Sequence, residues 1–126
     1  MNVLSSGFVT ASRSPRLRRM AERSSLLTPV VSRFIAGTTI DEALTTAADL
    51  ALDRYVSLDH LGEATSSPAA AETTVDAYVA LLRRLAEAGL TERAEVSVKL
   101  SALGQALPAD GEKIARENLL HICSAA

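Results

Sequence analysis

Apolar positions along the chain switch between two spacings. Ile40, Ala43, Leu44, Ala47, Ala48 and Ala51 recur every three or four residues, the period that lays a stripe along one side of an α-helix. Thr39 stands before this run with Glu42 three residues after it. That is a capping box, in which the hydroxyl takes the N3 amide and the carboxylate reaches back, so the spacing predicts a helix over about 40–53. Tyr55-Val56-Ser57-Leu58-Asp59 then alternates as a strand does, and 61–66 reads as a loop. Ser67 and Pro68 supply the N-cap and first turn of a second helix. Its inner face is Val75, Tyr78, Val79, Leu82, Leu85 and Ala86, and Gly89-Leu90 closes it in a Schellman-type stop. A second strand follows at 94–100. A loop through Ser101, Gly104 and Pro108 leads to a third helix with Asp110 as N-cap and Ala115, Leu119, Ile122 and Ala126 facing inward. No glycine, proline or polar stop comes before residue 126, so this last helix reads as cut rather than ended.

Helix, strand, helix, strand, helix is the grammar of an α/β fold: a parallel sheet with crossover helices. The two strands align at an offset of 40 residues, Ser57-Leu58-Asp59 against Ser97-Val98-Lys99. Two strands cannot close a barrel, which takes eight strands and about 250 residues. They leave open edges that could pair with a partner or a second copy.

Charge divides the chain in two. Residues 1–37 carry Arg13, Arg16, Arg18, Arg19, Arg23 and Arg33 against the single acid Glu22. The remainder is acidic, with 7 basic and 14 acidic residues. Ser14 and Pro15 begin a helix in the basic arm, with Leu17, Met20 and Ala21 on one side and arginines on the others. We read it as a solvated amphipathic face. Contact with a membrane surface or nucleic-acid phosphate, or use as an arginine- and serine-rich targeting peptide, are the alternatives. The four aromatics, Phe8, Phe34, Tyr55 and Tyr78, are too scattered for a base-stacking surface, so nucleic acid is not an expected partner. One cysteine, Cys123, excludes an internal disulfide or a CxxC site. Charges break every apolar stretch well short of about 18 residues, and no signal-peptide core is visible, so the cytoplasm is the default compartment.

The candidate chemistry is Asp59 and Lys99. Strand side chains alternate between faces, so Ser57 and Asp59 share one face of the first strand. Ser97 and Lys99 share the equivalent face of the second, with Val56, Leu58, Val96, Val98 and Leu100 turned toward the helices. Both charges sit near the C-terminal ends of their strands, where barrel active sites form. On neighbouring strands they would meet as an ion pair, serving either a site or strand register. Alternation turns His60 to the other face, as a structural histidine. His121 reads as a helix-surface residue and Cys123 as a core residue, and no metal-ligand spacing is evident. Glu63, at the strand exit, either reaches the site or caps the loop.

The stretches Tyr55-Val56-Ser57-Leu58-Asp59-His60-Leu61-Gly62-Glu63 and Glu95-Val96-Ser97-Val98-Lys99-Leu100-Ser101-Ala102-Leu103-Gly104-Gln105 resemble the first two barrel strands of proline dehydrogenase. The lead-in Val31-Ser32-Arg33-Phe34-Ile35-Ala36-Gly37-Thr38-Thr39 is similar to the segment before the first strand, particularly in single-function actinobacterial-type members. Leu107-Pro108-Ala109-Asp110-Gly111-Glu112-Lys113-Ile114-Ala115 is similar as well. The resemblance runs from about residue 10 onward. It implies an incomplete TIM-type (βα)8 barrel over 38–126, preceded by a basic helical arm over 1–37. It also implies FAD as cofactor, L-proline as substrate, 1-pyrroline-5-carboxylate as product and a membrane quinone as electron acceptor, hence peripheral contact with the inner face of a membrane.

By the same resemblance Lys99 helps to hold the substrate carboxylate, and Asp59, its strand-one partner, keeps the ammonium in place. The family's flavin contacts lie beyond the second strand and its carboxylate-gripping arginine pair on the last barrel helix. Arg83 and Arg84 belong to the first crossover helix and do not match that pair. The expectation is therefore part of a substrate site, no cofactor-binding residue, and an isolated chain that neither binds FAD nor oxidises proline. A non-catalytic piece acting by association is the alternative.

Overall fold

The computed structural model describes residues 35–62 and 65–126, and its elements all lie in the unit Thr38–Ala126. They are α1 (Ile40–Ala51), β1 (Val56–Asp59), α2 (Pro68–Glu87), β2 (Ala94–Ser97), a 3-10 turn (Leu100–Leu103) and α3 (Gly111–Ala125). The expectations for Ser14, Pro15 and the arginine arm, and for Glu63, fall outside the described residues.

Local signals place most of the boundaries. Thr39 Oγ1 accepts from the Glu42 N–H at 3.3 Å, and Glu42 Oε2 accepts from the Thr39 N–H at 3.3 Å, which completes the box. The same oxygen also takes the Thr38 N–H at 2.7 Å and the Thr38 hydroxyl at 3.0 Å. These donors favour the anion. They lower the Glu42 pKa, the Thr38 N–H having the largest effect. At α2, Ser67 Oγ accepts from the Ala70 N–H at 3.2 Å, and Pro68 needs no partner at N1. The helix ends on a Schellman motif: Gly89 at φ +69°, with Gly89 N–H to Ala86 and Leu90 N–H to Leu85 both at 3.0 Å.

β1 and β2 pair in parallel, with Val56 opposite Ala94, Ser57 opposite Glu95, Leu58 opposite Val96 and Asp59 opposite Ser97. The helix-facing side chains Val56 and Leu58 pack with Leu44, Ala47, Ala51, Leu81 and Leu85 into one apolar cluster. A second cluster joins Val75 and Tyr78 of α2 to Leu103, Ala115 and Ile122, with Val96 and Val98 against it. Parallel strands joined by α2, with α1 and α2 covering one sheet face, make a mixed helix-and-strand architecture compatible with the α/β class.

Several expected details shift. β2 stops at Ser97, three residues short of 100, because the backbone turns into the 3-10 helix after Lys99. Leu100 is accordingly 40% exposed instead of lying on the helix-facing side. On α2 Val75, Tyr78 and Leu85 are buried as expected and Val79 and Leu82 pack half-buried against the core, but Leu81 is buried as well and Ala86 is exposed. Ala48 and Ala126 are also exposed. Asp110 is the N-cap of α3, but in the left-handed conformation (φ 55°), and its side chain makes no capping bond. That conformation suits aspartate better than most residues. Cys123 is exposed on α3 rather than in the core; Ile122 takes the buried position beside it.

Candidate functional site

The pairing register sets Asp59 against Ser97, an offset of 38 residues rather than the 40 of the sequence alignment. Both numbers are even, so the faces are preserved. Ser57 and Asp59 lie on the side of the sheet away from α1 and α2. Glu95 and Ser97 are their partners in the ladder, and all four are exposed. Lys99 follows just beyond β2 and its ammonium forms an ion pair with Asp59 Oδ2. The structure thus joins the two residues singled out from the sequence. Their side chains are 52% (Lys99) and 33% (Asp59) exposed, so among the described residues the pair borders water rather than a closed lumen. Such a pair contributes about 0–1 kcal/mol to stability. What it offers chemically is a cation and a carboxylate side by side, complementary to an amino-acid zwitterion.

Sequence reasoning places Tyr78 in the core only. Its ring is fully buried, but its hydroxyl emerges at the site, 3.2 Å from Asp59 Oδ1 and 2.9 Å from the Ser97 carbonyl oxygen. The Tyr78 hydroxyl oxygen in turn accepts the His60 backbone N–H at 3.3 Å. Burial raises the Tyr78 pKa. The His60 N–H works against that, and the Asp59 charge adds to it. The one signal in the sequence is the residue type: a tyrosine at a helix position that packs inward needs a partner for its O–H. His60 follows alternation onto the helix side, where its ring meets Tyr78 edge-on with centroids 5.9 Å apart.

The loops at the same end of the sheet are clasped. Thr65 donates its backbone N–H and its hydroxyl to the Ser101 carbonyl, both at 3.2 Å. Asn118 on α3 donates to the Leu103 carbonyl at 3.0 Å. Arg84 ion-pairs with Asp41 of α1 at 2.7 Å and with Glu87 at 3.3 Å, away from this site. His121 is exposed. Among the described residues no group of three His, Cys, Asp or Glu gathers as a metal site, and no helix is long and apolar enough to cross a membrane.

An apolar groove of about 770 Å³ runs between α2, β2 and α3, with Val79, Leu82, Val96, Val98, Leu119 and Cys123 among its walls. It lies on the helix side of the sheet, away from Asp59 and Lys99. The Asp59–Lys99 face itself is exposed and polar among the described residues.

No family model matches the chain. Among curated proteins, the chain is similar to a proline dehydrogenase of Deinococcus radiodurans, 29% identical over 119 residues. The match covers 94% of this chain and 37% of that protein, so the chain spans little more than a third of the relative's length. The similarity supports a proline dehydrogenase-like relationship.

Proposed function

We propose that this chain forms the first two βα units of a proline dehydrogenase-like (βα)8 barrel and carries part of its L-proline site. The observation that carries this reading is the Asp59–Lys99 ion pair at the C-terminal ends of two adjacent parallel strands, on the face away from the helices. That end is where barrel enzymes build their sites. The similarity of most of the chain to a proline dehydrogenase supports it.

Lys99 holds the proline carboxylate as a point charge, and Asp59 keeps the ammonium in place. Both are set before substrate arrives, so little reorganisation accompanies the reaction. FAD and a quinone acceptor enter with the barrel resemblance, and the residues that hold the flavin lie outside this chain. The basic arm over 1–37 precedes the barrel part over 38–126. In the assembled barrel a further strand, parallel to β2, covers the open β2 edge and the apolar groove beside it. The same edge and groove also favour the second reading, a non-catalytic piece that works by association.

The test is a chimera in which this chain replaces the matching segment of the Deinococcus radiodurans enzyme. The chimera oxidises proline, and Lys99→Ala raises the KM for proline about tenfold or more, the scale of a lost charge-assisted hydrogen bond, with the fold retained by circular dichroism. An unchanged KM reduces the pair to a register device and removes the site assignment.

A further inference from the structure

Tyr78 reaches from the buried face of α2 to the ends of both strands. The phenol carries one proton, which Asp59 Oδ1 at 3.2 Å and the Ser97 carbonyl at 2.9 Å share. Its oxygen accepts the His60 N–H at 3.3 Å. Asp59 Oδ2, the other carboxylate oxygen, meets Lys99. The carboxylate is therefore gripped at both oxygens by partners from different elements. Without the hydroxyl, a side chain with two rotatable bonds and one-third exposure samples several rotamers. A phenylalanine would fill the same core volume, so the hydroxyl needs a reason of its own. Burying it is costly unless it is bonded, and among the described residues no buried side-chain polar atom lacks a partner.

We propose that Tyr78 is a positioning residue for the Asp59–Lys99 pair: its hydroxyl fixes the Asp59 carboxylate so that Oδ2 faces Lys99, and ties both strand ends to α2. The proposal rests on the proline-site reading for its purpose, but not for its geometry. A tyrosine hydroxyl is protonated at neutral pH, and burial pushes its pKa further up, so it stands as a proton donor.

The experiment is solution NMR on the full 126-residue chain, reading the Asp59 χ1 couplings in wild type, Tyr78→Phe and Leu85→Ala. Wild type shows one rotamer. Tyr78→Phe averages the couplings between rotamers while the Leu103 methyl shifts, which report the core around the ring, stay in place. Leu85→Ala, a lesion in the other apolar cluster, lowers stability and leaves the Asp59 couplings unaveraged. Unaveraged couplings in folded Tyr78→Phe overturn the proposal. So does equal averaging in Leu85→Ala, since loss of stability alone would then free the carboxylate.

Where Tyr78→Phe does not fold, Asp59→Ala decides from the other side: a displaced Tyr78 Cζ resonance supports the contact, and an unmoved one overturns it. In the chimera, Tyr78→Phe raises the KM for proline about fivefold, less than Lys99→Ala because Tyr78 acts only through Asp59, with kcat unchanged. A chimera that oxidises no proline removes the proline reading and leaves the rotamer result standing. A rigid Asp59 in Tyr78→Phe removes the positioning role and leaves the chimera's activity standing.

Discussion

At the scale of single residues, Asp59 and Lys99 are readable from sequence because strand alternation is a parity rule. Any even register keeps them on one face, and the observed offset of 38 residues is even. Tyr78 is not readable in the same way. Helical periodicity marks where a ring goes, and says nothing of where the hydroxyl at its far end emerges. Cys123 departs from expectation for a related reason. It adjoins Ile122, and on a helix only one of two neighbours sits at the centre of the buried stripe. Glu42 offers a test at this scale. Its carboxylate pKa is lowered by the Thr38 and Thr39 donors, so the folded state favours the anion. The stability this brings is whole above the ordinary carboxylate pKa and is lost as pH falls through the lowered one. Glutamine keeps the capping geometry but cannot titrate. Melting curves of wild type and Glu42→Gln should therefore differ at neutral pH and converge in acid; a constant gap would remove the linkage.

Among elements, the helices are legible where capping chemistry is local. Thr39 with Glu42, Ser67 with Pro68, and Gly89 with Leu90 each fix a boundary through bonds spanning three to five residues. The end of β2 is not legible. Val98 and Leu100 continue the alternation of a strand, yet the chain turns at Lys99 into a 3-10 helix held by tertiary contacts, Thr65 on Ser101 and Asn118 on Leu103. The glycines that follow serve this turn. A Cβ on Gly111 would stand 2.5 Å from the Gln105 carbonyl oxygen and 3.0 Å from that of Gly104, and backbone cannot step aside cheaply. Gly111→Ala should cost about 1–3 kcal/mol in urea unfolding and disturb the Thr65 amide that reports the clasp. Gly89→Ala meets no atom within 4 Å and should cost about 1–2 kcal/mol through its left-handed backbone alone. A Gly111→Ala protein as stable as wild type would show that the turn can open.

For the molecule as a whole, the hydrophobic pattern conveys the order of helices and strands and the parallel sheet. Barrel closure does not follow from two strands, since a barrel of this type takes eight. Among the described residues the two-stranded sheet has an exposed polar face that carries the Asp59–Lys99 pair, and an apolar groove lies on the helix side. The purified chain mixed with FAD and desalted should retain no flavin absorbance and should not reduce a quinone analogue with proline. A stoichiometric flavin band bleached by proline would show instead that these residues suffice to hold the cofactor and work it.

The two-residue stagger between the strands carries one more consequence. Level pairing would have placed the cation directly beside its carboxylate. Instead the Lys99 backbone sits about 6–7 Å further along the sheet than Ser97, the neighbour of Asp59 in the ladder. The four-carbon stem has to lean back across that gap. Reach is therefore a requirement at this position as much as charge: a shorter cation, however strongly ionised, would stop short of its counterpart.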